Sequence, residues 1–422
     1  MKTYLLTTTG YTYLKKQKKL NKQYKKILRE IVIPESEFQL FEDDFLLLKK
    51  LVVAVDDKNL GNTKEYKKLI KKHNPTARIK EIKFELTHEC NLGCCHCYLQ
   101  YRKIDTPLDF EITRGVINDC IDIDIRDFLF TGGEPTLYSK FIPLLEFLSK
   151  KEDLNLSLFT NGWWGSEDPF QIGEKKFANY LEFIKLLAKS GFKKLVLSID
   201  GIGPDHDEFR KSPDLYRKNI NIIKTFTKDF GTVEVQSILT EKNIKYIPEF
   251  LRLLKEYGVS KINLGIPERV GDNQGFILKK SDVKLLFEKG ISLKTQYDVK
   301  PKNVPKKCNF ILKPLTLWIK TDYLVTPCCW IFNKTASFGS IIDSDIVEIL
   351  NNIQNTSIYK LHKNNDFSKL KSYISKKFFK LNFRTQCGPC MIAVNFIDKP
   401  EEKTVEEINV QVATRLGFLP VD

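Results

Sequence analysis

Long apolar runs are missing from this chain. Nowhere does it sustain the roughly 18–20 apolar residues that a membrane helix needs, so no membrane span is expected. A secretory pattern is missing too: Tyr4-Leu5-Leu6 is cut short by Thr7, Thr8 and Thr9, and then by Lys15, Lys16, Lys18 and Lys19. A cytoplasmic protein is expected. Arginine is scarce, with eleven among the 68 basic residues, which leaves 57 lysines. Base reading favours the arginine fork, whereas lysine supplies diffuse positive charge. The net charge of +15 is spread along the whole chain, and nucleic acid is not the expected partner. Internal repeats and long low-complexity linkers are also absent. What remains is 422 residues, 42% hydrophobic and 12% aromatic. That suits two or three folded domains and excludes global disorder.

Cysteine is unevenly placed. None lies between 121 and 307, yet nine of the ten fall into groups elsewhere: Cys90, Cys94, Cys95 and Cys97; Cys308, Cys328 and Cys329; Cys387 and Cys390. In a reducing compartment, clustered cysteines point to metal ligands or reactive thiols rather than disulfides. Cys90, Cys94 and Cys97 form C-x3-C-x2-C on a loop after a short strand. Three thiolates so spaced can hold three corners of a cubane iron–sulfur cluster, leaving the fourth iron open. A zinc knuckle using Cys95 or His96 as a fourth ligand is the alternative. Further on, the compact strand Asp127-Phe128-Leu129-Phe130 runs into Thr131-Gly132-Gly133-Glu134-Pro135. Glycines at a strand end let a bound molecule approach the backbone, and a carboxylate can grip an ammonium group.

The cysteine triad and the TGGEP segment together resemble the radical S-adenosylmethionine (SAM) superfamily. The resemblance implies a [4Fe–4S] cluster on Cys90, Cys94 and Cys97 that binds SAM at its open iron. It also implies that Gly132, Gly133 and Glu134 hold the SAM amino group. His96 sits where the family often has an aromatic residue, and Cys95 is read as a bystander.

The coarse pattern of strands and helices fits such a protein. Strands are expected at 83–86, 127–130, 156–160, 195–199, 233–239 and 261–264, with amphipathic helices at 141–150, 177–189 and 248–257. The expected fold class is α/β: a partial (β/α)6 barrel at 81–300, a small N-terminal module at 1–80, a C-terminal auxiliary-cluster domain at 301–396 and a helical tail at 397–422. Reactive groups in such folds gather at the carboxyl ends of the strands, which places Asn161, Ser198, Asp200, Gln236 and Ser237 near the cluster. The segment Ser198-Ile199-Asp200-Gly201, followed by His206-Asp207 and Arg210, resembles the peptide-modifying branch of the superfamily. It implies SAM contacts from Ser198, Asp200 and Arg210, with Asn161 beside them.

Cys308, Cys328, Cys387 and Cys390 form a late quartet suited to a second cluster or to zinc. The run from Trp318 to Cys329 resembles the hairpin of the SPASM and twitch extensions, which carry auxiliary [4Fe–4S] clusters. The cysteines present limit this chain to one such cluster, the twitch form. Tyr323 occupies a turn position where a glycine is common. Pro327-Cys328-Cys329 and Asn161-Gly162-Trp163-Trp164 are similar to segments of the radical SAM peptidyl epimerases, which implies hydrogen-atom donation by Cys329. In the N-terminal module, helices are expected at 37–51 and 65–72 and a strand at 52–55. Helices are also expected at 369–380 and 401–416. The resemblance implies that this module binds the leader of a precursor peptide, the expected substrate, with a structural cap on the barrel as the alternative; an electron donor such as flavodoxin or ferredoxin is the second expected partner. The rival enzyme reading is oxidation of a small-molecule alcohol. A non-catalytic nucleic-acid-binding protein is disfavoured, because it has no need of a glycine-backed carboxylate beside an open iron.

Overall fold

The computed structural model describes residues 79–265 and 309–364, apart from 95, 98, 100–105, 313–314, 330, 332–333 and 335, together with three strands nearer the N-terminus. Those are β1 (Lys2–Leu6), β2 (Val32–Pro34) and β3 (Val52–Asp56), which form an antiparallel sheet in the order β2-β1-β3. β3 is the strand expected at 52–55; β1 and β2 were not foreseen. The helices expected at 37–51, 65–72, 369–380 and 401–416 lie outside the described residues, as do Cys308, Cys387 and Cys390.

The main sheet begins with β4 (Glu81–Glu85), where Ile82 and Phe84 are fully buried and Lys83 between them is not. That alternation marks a strand with two unlike faces. Helix α1 (Phe110–Asp122) follows, its first turn capped by Asp109, whose carboxylate accepts from the Ile112 amide. Next come β5 (Asp127–Thr131), α2 (Phe141–Leu148) and β6 (Asn155–Thr160). The helix expected from 177 starts only at Tyr180. Residues Lys175–Phe177 (β8) pair instead with Phe170–Ile172 (β7) in a small hairpin, and Asn179 then caps α3 (Tyr180–Lys189). The pattern continues with β9 (Phe192–Ser198), α4 (Pro204–Arg210), α5 (Leu215–Asp229), β10 (Thr232–Ile238), α6 (Ile247–Glu256) and β11 (Lys261–Gly265).

β4, β5, β6, β9, β10 and β11 lie side by side and parallel, in that order. This is an α/β fold with the sheet of a partial barrel. Its core lies between sheet and helices. Phe84 stacks on Phe130 at 5.5 Å and tilts against Phe128 at 6.1 Å; fully burying such a ring stabilises by about 1.5–3 kcal/mol.

After α7 (Asn309–Leu312), β12 (Thr316–Ile319) runs parallel beside β4. β13 (Leu324–Thr326) and β14 (Gly339–Ser340) continue the same sheet antiparallel. The hairpin that carries Cys328 and Cys329 therefore extends the barrel's own sheet. Its turn puts Tyr323 at φ 64°, a left-handed conformation that costs a non-glycine residue about 1–2 kcal/mol. That explains why glycine would suit the position. Helices α8 (Ile346–Asn352) and α9 (Ser357–Lys363) end the described chain. Among the described residues, no helix is long and apolar enough to cross a membrane.

Candidate active site

A cavity of about 260 Å³ opens at the carboxyl ends of the parallel strands. Cys90, Cys94 and Cys97 line it from the loop after β4, Gly132 and Gly133 from the loop after β5, and Asn161 from the loop after β6. Ser198 at the end of β9 and Arg210 at the end of α4 also line it. Residues more than a hundred positions apart thus share one surface, as strand ends in this fold class require. Glu134 and Asp200 stand behind the wall, fully or almost fully buried. Gln236 and Ser237 are not among the lining residues.

The thiols are neighbours electrically. Although Cys90 is exposed as a residue, desolvation of its sulfur pushes the thiol up to about 12, with the Leu92 amide acting against this and the charges of Glu134, Cys94 and Cys97 acting with it. A thiol so hard to ionise becomes a thiolate when a cation sits against it. Two N–H donors already face these sulfurs: Asn161 Nδ2 lies 3.9 Å from Cys90 Sγ, and Arg210 Nη1 lies 3.8 Å from Cys94 Sγ. Donors aimed at sulfur suit thiolates bound to iron. Among the described residues, no three Cys, His, Asp or Glu side chains converge as ligands of a single metal ion. A cubane cluster does not ask for that, because each thiolate binds a different iron. The donor set therefore fits the cluster.

The two glycines serve the chain itself. A Cβ on Gly132, which has φ 150°, would stand 2.2 Å from the Thr87 carbonyl oxygen, and one on Gly133 would stand 2.3 Å from that of Glu89. The Gly133 amide donates to Thr87 O at 2.7 Å and the Glu134 amide to Glu89 O at 2.8 Å. The TGGEP segment is thus laid directly on the backbone that leads into Cys90, and it positions the cysteine loop as well as flooring the cavity.

Glu134 is held by four donors. Its Oε1 accepts from the Thr136 amide at 3.3 Å, and from the hydroxyls of Thr136 and Thr160 at 2.8 Å each. Oε2 accepts from the Asn161 amide at 2.8 Å. Burial raises its pKa despite these donors. The tryptophan pair after Asn161 supports the arrangement: Trp163 Nε1 donates to Thr136 Oγ1 at 2.9 Å, and Trp164 Nε1 to Thr160 Oγ1 at 3.2 Å. With Oε1 occupied, the carboxylate's remaining acceptor capacity is on Oε2.

Asp200 and Arg210 pair with each other, Nε to Oδ2 at 2.5 Å. Burial opposes the Asp200 charge most strongly, but Arg210, His96, His206 and the Ile238 amide together hold the carboxyl below its usual range. The Asp200 amide donates to His206 Nδ1 at 3.0 Å, and burial holds that imidazole down at about 3, against the pull of Asp200. His96 lines the cavity with its ring stacked on Phe209 at 4.8 Å. Burial first, and Arg210 next, hold it down at about 4, so it is neutral near pH 7.

Cys328 and Cys329 are half-buried and do not line the cavity. Burial raises the Cys329 pKa, while Lys320 lowers it and Glu85 raises it. Lys320 is fully buried and donates through Nζ to the carbonyls of Cys329 at 2.8 Å and Ile331 at 3.1 Å. Next to it, Thr321 Oγ1 lies 3.0 Å from His88 Nε2, which lies 2.5 Å from Glu85 Oε1. His88 in turn lines the cavity. Neither His88 nor Lys320 stands in a motif that assigns it a role. A fully buried Lys is rare enough to mean partners, but burial is visible only in the fold.

Residues 84–240 match the family model of the Radical SAM superfamily. Over 183 residues the chain is 25% identical to Fe-coproporphyrin III synthase of Methanosarcina barkeri, a stretch that is 43% of this chain and 42% of that protein. Over 183 residues it is 29% identical to pre-heme d1 synthase of Dinoroseobacter shibae, again 43% of this chain and 42% of the relative. The chain thus spans less than half the length of these curated relatives. The crystal structure of Streptococcus suis SuiB bound to precursor peptide SuiA shares the fold at a TM-score of 0.50 and 15% identity, covering 88% of this chain and 89% of that one.

Proposed function

We propose that this chain is a radical SAM enzyme that modifies a ribosomally made peptide by epimerisation or crosslinking. The observation that carries the reading is the cavity wall, where three thiols, two of them faced by N–H donors, meet two glycines and a backing carboxylate. When bound, the cluster and SAM supply a 5′-deoxyadenosyl radical that removes a hydrogen atom from a substrate C–H bond. Cys90, Cys94 and Cys97 hold the cluster. Gly132, Gly133 and Glu134 receive the amino group of SAM, the last through Oε2. Asn161, Ser198 and Arg210 orient the rest of the molecule, and Asp200 acts through Arg210. The walls exclude water and small reductants while the radical exists.

Two features support a peptide substrate. The fold likeness to the peptide-bound SuiB structure runs well beyond the radical SAM domain. In addition, the separate sheet β2-β1-β3 has outer strands that each pair on one side among the described residues, a template to which an extended peptide can add. A second cluster on Cys308, Cys328, Cys387 and Cys390 belongs to the same proposal, as does Cys329 as the hydrogen donor. Its S–H bond breaks homolytically, a C–H bond forms on the substrate, and the sulfur radical is reset by an electron and a proton from an external reductant of the flavodoxin or ferredoxin kind. The rival reading, a small-molecule substrate, draws on the names of the two sequence relatives.

Anaerobic reconstitution tests the cofactors. About eight irons per chain are expected for two clusters, with 5′-deoxyadenosine formed from SAM and dithionite. Cys97→Ala should abolish that product, and its retention would defeat the site assignment. Incubation with a short peptide encoded beside the gene should give, by mass spectrometry, solvent deuterium at one α-carbon or loss of a hydrogen pair. Neither change, with a small alcohol oxidised instead, selects the rival. Cys329→Ala should spare SAM cleavage and alter the peptide product; an unchanged product and yield would end the donor assignment.

A further inference from the structure

Arg210 is fixed more firmly than a ligand clamp needs to be. Its Nε pairs with Asp200 Oδ2 at 2.5 Å. Asp200 itself is tied at three further points: Oδ1 accepts from the Ile238 amide at 2.7 Å, the backbone amide donates to His206 at 3.0 Å, and the backbone carbonyl accepts from Asn243 Nδ2 at 2.8 Å. The guanidinium is a planar fork, so fixing Nε fixes where Nη1 points. It points at the sulfur of Cys94, 3.8 Å away. Both side chains are buried, and Cys94 Sγ also reaches the Arg210 carbonyl at 3.8 Å.

We infer that Arg210, oriented by Asp200, tunes the reduction potential of the cluster held by Cys90, Cys94 and Cys97. Reduction adds one electron to the cluster, and a fixed cation with an N–H on a ligand sulfur favours the more negative state. Hydrogen bonds to sulfur and net charge are among the factors that set such potentials, and the effect is larger away from bulk water. Arg210 therefore raises the potential and eases the electron transfer that starts the reaction. Asp200 is a positioning residue in this scheme. The inference rests on the proposed cluster assignment. It is distinct from any contact between Arg210 and SAM, which the remaining guanidinium donors can still make from the cavity wall.

The test is a redox titration of the reconstituted full-length protein before SAM is added, followed by electron paramagnetic resonance. The relevant cluster is the one whose signal changes when SAM is added afterwards. In Arg210→Gln, the reduced-to-oxidised ratio at fixed potential should fall about tenfold, equivalent to a shift of about 59 mV to more negative values. Arg210→Lys should shift less, since charge is retained and only the fork is lost. SAM affinity is measured separately on each variant. A potential in Arg210→Gln equal to wild type overturns the inference, whatever happens to SAM affinity. If Arg210→Gln takes up no iron, Arg210→Lys decides; loss of the cluster from both, with unchanged circular dichroism, also overturns it by making Arg210 an assembly residue. A wild-type protein that takes up no cluster defeats the proposed function itself, and is told apart because no variant is needed to see it.

Discussion

The two ends of the parallel sheet make an instructive contrast. At the amino ends of the strands lies the larger opening, about 630 Å³, edged by Lys80, Glu81, Asp127, Lys193 and Lys194. The carboxyl-end cavity is less than half that volume. Near the large opening, charges meet in loose, half-buried pairs, such as Lys194 with Glu234 at 3.8 Å and Lys83 with Glu81 at 3.5 Å. Long pairs that water still reaches contribute about 0–1 kcal/mol each. At the small one, Glu134 and Asp200 are buried and met by directed donors. Volume does not mark the site. Buried polar groups whose hydrogen bonds fix one geometry do, because leaving any of them unpaired in a low-dielectric setting is costly.

Substitutions at the two ends can break this contrast or sharpen it. The largest effect is expected at Gly133→Ala, whose Cβ would meet the Glu89 carbonyl at 2.3 Å. Overpacking of about 1–3 kcal/mol then falls on the backbone leading to Cys90, so most iron uptake should be lost while circular dichroism is kept. Full iron loading would show that the glycine contact does not position the loop. Glu134→Gln should act less strongly. It turns an N–H2 group toward hydroxyl or amide donors, at a cost of about 1–3 kcal/mol, visible as a lower melting temperature and weaker SAM binding. Melting and binding like wild type would mean that the four donors are not used as seen. Lys194→Ala, at the other end, should change stability by less than about 0.5 kcal/mol and leave 5′-deoxyadenosine formation intact. A loss of SAM cleavage there would erase the difference between the two ends.

Much of this was legible beforehand. All six parallel strands of the barrel occur where the alternation of apolar segments placed them, to within a few residues. The hairpin at Phe170–Phe177 escaped because Phe177 also fits the apolar face of the following helix, and only pairing with Phe170 decides between them. The resemblance carried by their two motifs grouped Cys90, Cys94, Cys97, Gly132 and Gly133 as one site, and all five line one cavity. The pairing of Asp200 with Arg210 was not readable, since both had been given SAM as a partner. Ten residues of separation say nothing about which way two side chains turn. His88 reaching Thr321 spans 233 positions and leaves no local trace.

What the sequence determined by itself is chemical identity: which atoms can bind iron, where the backbone must lack a side chain, and the period that separates strand from helix. These depend on residue type and short-range order, which the chain carries before it folds. The tertiary structure decided which donor meets which acceptor. It turned the glycines toward the cysteine loop, enclosed Glu134 among Thr136, Thr160 and Asn161, and set Arg210 between Asp200 and Cys94. Hydrogen bonds are short and directional, so such choices exist only once distant strand ends have been brought to one side of a sheet.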